Sequence, residues 1–182
     1  MTIQPTPQEF TPFQGNVREL RIEDLPQLKP ILETWIKHRE TKEPLPEEVT
    51  KTLQNMEESI GGKNERRYLV AETEEGQTVG VVGIKKPDKI MTSFTSTPNP
   101  TELVNFFIVS SERGKGLGKI LAANLENYAR SLGHTEIVLN SGPRYKETAW
   151  DFYDRLPSYK RIGTAKKYYG KDGDAPVWQK IL

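Results

Sequence analysis

The stretch from Leu103 to Leu132 limits what this chain can fold into more than any other. Leu103 to Val109 is apolar at every position except Asn105, the pattern of a strand buried on both faces. A helix-periodic segment follows from Leu117 to Leu132. Leu117, Leu121, Leu125, Tyr128 and Leu132 form its core-facing stripe, Lys119, Glu126, Asn127 and Arg130 face out, and Gly133 is placed as a C-cap. Glu136 to Leu139 reads as a further strand ending at Asn140, so the unit is strand, crossover helix, parallel strand.

Between strand and helix lies Arg113, Gly114, Lys115, Gly116, Leu117, Gly118, Lys119. A glycine turn that opens a helix presents backbone N–H groups with no intrahelical acceptor, and such a site attracts phosphate. The glycines allow positive φ and close approach of a ligand, and the three basic residues add charge that only Glu112 dilutes. A nucleoside-triphosphate loop fails twice, because Arg113 stands where its first glycine is needed and Ile120 where Ser or Thr is needed. A dinucleotide-binding turn fails at Lys119, where its third glycine belongs. What remains is Arg, two residues, Gly, one residue, Gly, read either as a diphosphate site or as a tight strand-to-helix turn.

The rest of the chain suits one α/β domain over residues 17–182, preceded by an arm, residues 1–16, whose prolines and polar residues favour a loose segment. Val17 to Ile22 reads as a strand. Asp24 is a plausible N-cap for a helix through Ile36 that Pro30 kinks or divides. Pro46 to Ile60 is a helix with Val49, Leu53, Met56 and Ile60 on one stripe, stopped by Gly61 and Gly62. Arg67 to Glu72 and Thr78 to Ile84 form a hairpin. Lys85 to Thr101 is a long loop, either an acceptor-side lid or a solvated excursion. Glu147 to Leu156 reads as a helix, and Tyr159 to Ile162 and Val177 to Leu182 as strands.

Lys plus Arg (26) balances Asp plus Glu (25), so no global field implies nucleic acid or an anionic membrane as partner. The basic and aromatic cluster from Lys160 to Lys171 fits a lysine-bearing edge hairpin better than a nucleic-acid surface. There is no cysteine, which excludes thiol catalysis, and His38 and His134 are too scattered for a metal site, so no metal is expected. No apolar run approaches a membrane span of ~20 residues, and a cytoplasmic location follows as the expectation.

In its order of elements, the chain resembles the GCN5-related N-acetyltransferase (GNAT) family from about Val17 to Leu182. The strongest match is Val109 to Lys119 with its helix. A second is Ala149, Trp150, Asp151, Phe152, Tyr153, Asp154, Arg155, Leu156. Lys146 stands where relatives carry an asparagine, and Pro157, Ser158 and Tyr159 stand where they carry Gly-Phe. The resemblance implies a mixed, mostly antiparallel sheet of six or seven strands, splayed at its centre beyond Val109 and flanked by about four helices. It implies acetyl-CoA as cosubstrate and direct transfer of the acetyl group to an amine.

On that reading Phe107, Ile108 and Val109 hold the pantetheine arm, Arg113, Gly114, Lys115, Gly116, Leu117, Gly118 and Lys119 hold the diphosphate, and Asn140 either contacts the cofactor or an ordered water or serves only as a turn-forming asparagine. Tyr153 is the acid for the leaving thiolate, with a core tyrosine as the rival reading. Glu102 is the candidate base, with a solvated carboxylate as its rival, and Asn105 is a further polar candidate. A non-catalytic acyl-CoA-binding module and a protein binding another nucleotide stay open. The acceptor is a small-molecule or peptide amine, and a monomer and a homodimer are equally compatible with the chain.

Overall fold

A computed structural model describes residues 12–182; most of the arm, residues 1–11, lies outside the described residues. The elements are β1 (Gly15–Glu19), α1 (Leu25–Trp35), α2 (Pro46–Ile60), β2 (Arg67–Thr73), β3 (Thr78–Lys85), α3 (Lys89–Thr92) and β4 (Pro100–Ile108) in the first half. The second half holds α4 (Leu117–Ser131), β5 (Glu136–Asn140), α5 (Asp151–Asp154), β6 (Lys160–Ala165) and β7 (Ala175–Ile181). They build one seven-stranded sheet in the order β1-β2-β3-β4-β5-β7-β6, antiparallel everywhere except at the β4/β5 pair.

Strand alternation divides the core between the two faces. Leu69, Ala71, Val82 and Ile84 point toward α4, whose Leu117, Leu121 and Leu125 are buried, as the helical spacing requires. Tyr68, Val70 and Val81 point the other way and meet Leu28, Ile31 and Leu32 of α1 and Val49 and Met56 of α2. Each face therefore has its own helical cover.

Several sequence expectations are corrected. Gly15 and Asn16, placed in the arm, pair with Thr73 and Glu72 in β1. Pro30 does not divide α1: it forfeits a single backbone bond in a helix that the burial of Leu28, Ile31 and Leu32 holds against the sheet. Leu132 is 45% exposed because the helix ends at Ser131, whereas Glu126 turns inward to Lys180 of β7 at 2.6 Å. The loop from Lys85 contains the single turn α3, capped by the Asp88 carboxylate, which sinks Met91 into a third apolar cluster with Val138, Ala165 and Val177. The last predicted helix is a π-helical turn, Lys146–Trp150, running into the short α5.

Asp24 is no side-chain cap for α1. Its buried carboxylate accepts two 2.8 Å bonds from Arg18 of β1, one from the Arg21 N–H at 2.8 Å and one from the Thr78 hydroxyl at 2.9 Å. Arg18 also reaches Glu72 of β2, so this cluster ties β1, β2 and β3 to the start of α1. Burial alone would raise the Asp24 pKa, but the bonds from Arg18, Arg21 and Thr78 outweigh it and hold the group below the ordinary 3.8.

A carboxyl with a lowered folded pKa contributes stability above its unfolded value and loses it as pH falls through the folded one. Asp24→Asn is therefore expected to lower the unfolding free energy at pH 7 by about 3 kcal/mol in denaturant titrations, with the gap to the parent closing below pH 4. A gap that stays constant with pH would contradict this role.

Candidate active site

Among the described residues the sheet has one parallel pair, β4 and β5, and it opens there. β4 and β5 are joined from Pro100↔Glu136 to Glu102↔Val138 and no further, so the strands part after Glu102 rather than beyond Val109 as the resemblance implied. A bulge accentuates the opening, because Val81 and Gly83 of β3 face Phe107 and Val104 of β4, leaving an extra β4 residue between them. Asn105 absorbs it at φ 52°, a conformation that asparagine tolerates better than most residues, and accepts a 3.1 Å bond from the Tyr68 hydroxyl. This opening explains why β4, expected to be buried on both faces, is only half-buried from Val104 to Ile108. The cleft has a volume of about 840 Å³.

The glycine turn closes one end of the cleft. Gly114 and Gly116 have φ of 78° and 83°, and Gly116 ends the turn as the N-cap of α4. The amides of residues 114 to 118 find no acceptor among the described residues, so a row of donors faces outward at the positive end of a 15-residue helix. Gly118 is needed for packing: a Cβ there would lie 2.8 Å from the Phe152 ring. Such donors, with Arg113 and Lys119 on the same wall, suit a phosphate-bearing ligand.

Arg113 donates to the Thr148 carbonyl at 2.8 Å and stacks 4.8 Å from the centre of the Trp35 ring, while the Trp35 indole donates to the Ile108 carbonyl at 2.9 Å. Lys115 turns away, paired with Glu112 at 3.0 Å, and its carbonyl accepts from the Phe13 N–H. Leu117 is buried in the core, and Val109 packs there with its N–H bonded to the Val79 carbonyl. Phe107, Ile108, Gly114, Gly116, Gly118 and Asn140 line the cleft with Arg113 and Lys119; Val109, Lys115 and Leu117 do not.

Tyr153 enters the same cleft from α5, its ring set against Phe106, Phe152 and Trp178. Its hydroxyl makes no hydrogen bond among the described residues, and burial pushes its pKa well above 10.0. Glu102 lies deeper, 2% exposed, accepting from Asn140 Nδ2 at 3.3 Å. Its other oxygen sits 3.0 Å from Lys85 Nζ without hydrogen-bond alignment. Burial raises the Glu102 pKa, with Lys85 pulling against it.

Sequence reasoning missed Trp35, Arg144, Tyr145, Tyr168 and Tyr169, all on the cleft wall, whereas Lys85 opens the segment read as an acceptor-side lid. Tyr169 donates to Asn140 Oδ1 at 2.6 Å and Tyr168 to Asp88, so the β6–β7 connection is fastened to the residues around Glu102. Adjacent tyrosines in a glycine-flanked loop were the available signal, masked by the surrounding lysines. Lys166 is instead occupied by Asp174, on the edge hairpin.

The sequence pattern of the acetyltransferase (GNAT) family matches residues 29–156, and the chain belongs to that family. It is accordingly an acetyl-CoA-dependent N-acetyltransferase. The fold is shared with an acetyltransferase of the GNAT family from Desulfovibrio desulfuricans (17% identity, 91% of this chain and 98% of that one, TM-score 0.71). An aminoglycoside 6'-N-acetyltransferase complexed with coenzyme A superposes at TM-score 0.67 with 22% identity (91% and 96%). A ribosomal-protein-alanine N-acetyltransferase from Brucella melitensis does so at 0.66 with 25% identity (92% and 99%). No curated protein sequence matches the chain. Among the described residues no helix is long and apolar enough to cross a membrane, and no cluster of three or more metal-ligating side chains forms.

Burial raises all seven tyrosines, Tyr145 to about 12. An ultraviolet titration of the native protein should therefore show far less than half of the phenols ionised at pH 10, rising to about half once guanidinium unfolds the chain. Half-ionisation at pH 10 in the native state would contradict the packing of the cleft wall.

Proposed function

We propose that the cleft holds acetyl-CoA with its diphosphate at the glycine turn and its pantetheine arm along β4, and that an acceptor amine attacks the thioester directly. The reading rests on one observation: Tyr153, Glu102 and the glycine turn, far apart in sequence, wall a single cleft. Residues 17–182, with the start of β1 at Gly15, serve as one catalytic domain. The strand opening beyond Glu102 lengthens the backbone edge available to the amides of the arm, although the Ile108 carbonyl is already taken by Trp35. The neighbour crystallised with coenzyme A supports the same cosubstrate.

The amine nitrogen bonds to the acetyl carbon, backbone N–H groups of β4 stabilise the oxyanion, and the C–S bond breaks. The ammonium proton passes to Glu102 and the departing thiolate takes the proton of Tyr153; exchange with solvent restores both groups. A raised Glu102 pKa brings its basicity closer to that of a neutral-pH base, and a raised Tyr153 pKa keeps its proton available. Asn140 holds the Glu102 carboxylate in place, and Asn105 shapes the strand rather than contacting the reacting atoms.

Tyr153→Phe is expected to reduce turnover by ~10² to 10⁴ with acetyl-CoA affinity nearly unchanged in calorimetry. Rates unaffected by the change would remove Tyr153 from the mechanism. In the parent protein kcat/KM should fall as pH drops through the Glu102 pKa, at a pH above the 4.5 of an ordinary glutamate, and Glu102→Gln should abolish that acid limb. Gly116→Glu should prevent acetyl-CoA binding by placing bulk and negative charge among the amides; normal calorimetric affinity in that variant would end the cofactor assignment.

A further inference from the structure

The end of the cleft away from the glycine turn carries a charge pattern that bears on the acceptor, given the acyl transfer proposed above. Arg66 stands one residue before β2, Lys85 ends β3 and Glu102 lies near the start of β4. Arg67 pairs with Ile84 and Lys85 with Glu102, so the three side chains fall in one row across the sheet. By strand alternation the row shares the face of Tyr68 and Val81, the one covered by α1 and α2. Glu102 precedes Ile108 by about 20 Å of extended chain, which separates this row from the amides of the glycine turn.

Of the carboxylates at this end, Glu48 is committed to an arginine and Glu102 alone is left for an amine. Glu48 takes two bonds from Arg144, at 2.6 and 3.1 Å, and Glu102 sits 3.0 Å from Lys85. Glu112, Glu147 and Asp151 belong to the other end, on the glycine turn, on the helical turn to which Arg113 bonds, and beside Phe152, which abuts Gly118. Arg66 is the opposite case. It is half-buried in the cleft wall, and among the described residues its guanidinium has one partner, the Tyr68 hydroxyl at 3.4 Å, and no carboxylate. Tyr68 is in turn fixed by its bond to Asn105. A partly desolvated guanidinium with most of its five N–H donors unengaged is a ready partner for a planar anion.

We propose that Arg66 anchors a carboxylate of the acceptor, so that the substrate class is an amine that also bears a carboxylate, as a free amino acid does, with its ammonium directed toward Glu102. An acceptor with several ammonium groups needs several uncommitted carboxylates, and this end of the cleft offers Glu102 alone, together with an uncommitted cation. Lys85, beside Arg66 in the row, is neutralised by Glu102 and Asp88, which leaves Arg66 as the unpaired cation of the row among the described residues.

The test measures release of free CoA with matched pairs, L-leucine against L-leucinamide and L-phenylalanine against L-phenylalaninamide, together with spermidine. The free acids should show ~10- to 100-fold higher kcat/KM than their amides, mostly through KM. Arg66→Ala should erase that ratio and Arg66→Lys should keep part of it. Arg66→Glu should turn the preference toward the amides and spermidine, a gain that a misfolded variant could not give. Acetyl-CoA affinity by calorimetry should be the same in all variants.

Amides or spermidine used as well as the acids by the parent, a ratio unchanged in Arg66→Ala, or no turnover of any pair by a parent that binds acetyl-CoA normally would each overturn the assignment. Failure of the parent to bind acetyl-CoA would instead bring down the acyl-transfer reading on which it stands.

Discussion

Three residues of parallel pairing between β4 and β5 support everything that follows in this molecule. Up to Glu102 and Val138 the two halves of the sheet are stitched by main-chain bonds; one residue later they are not, and the bonding edges of two strands are released into a cleft. Unpaired strand edges are costly when buried and adhesive when exposed. Here the gap is braced rather than closed: the bulge at Asn105 re-aims β4, the Trp35 indole takes the Ile108 carbonyl, and the rings of Phe106, Phe152 and Tyr153 fill the floor. Below the gap, α4 packs on both halves, and its Glu126 is paired with Lys180 of β7.

The interior carboxylates divide along the same line. Asp24 and Glu136 are buried with full sets of donors, Glu136 accepting from the Ser96 and Thr97 amides and from Gln179, and both have lowered pKa values. Each fastens a loop or helix start to the sheet. Glu102 is as deeply buried but incompletely bonded, and its pKa moves up. A half-satisfied carboxylate in the wall of a cleft is a poor structural element and a good proton acceptor. The charge of the acceptor end follows from this, since Lys85 is engaged by Glu102 and Arg144 by Glu48, leaving Arg66 over.

Much of the fold was legible because local and tertiary demands agree. Pro46–Ile60 as a helix, the β2–β3 hairpin and the strand–glycine turn–helix–strand unit all emerged from periodicity and turn chemistry, and they form as read. Other positions were decided by partners distant in sequence. Asp24 has the spacing of a cap, but Arg18 and Thr78 compete for its oxygens more strongly than the helix start does. Glu126 lies on the polar side of α4 by periodicity, yet Lys180 draws it inward. Tyr168 and Tyr169 were hidden in a lysine-rich hairpin, because nothing local records that Asp88 and Asn140 lie opposite them.

What the sequence determined by itself was the chemistry of one turn. Glycines at 114 and 116 allow the left-handed backbone, a helix begins at once, and donors without acceptors must result; short-range sterics suffice for that. What only the tertiary structure decided was which distant groups share a cavity with that turn. The depth of Glu102 and the set of Tyr153 against Trp178 depend on how far β4 and β5 separate, and among the described residues Arg66 has no acidic partner because its row brings Lys85 beside it. That separation is fixed by the packing of aromatic rings and a bulge across the whole sheet, a balance that no single segment of chain contains.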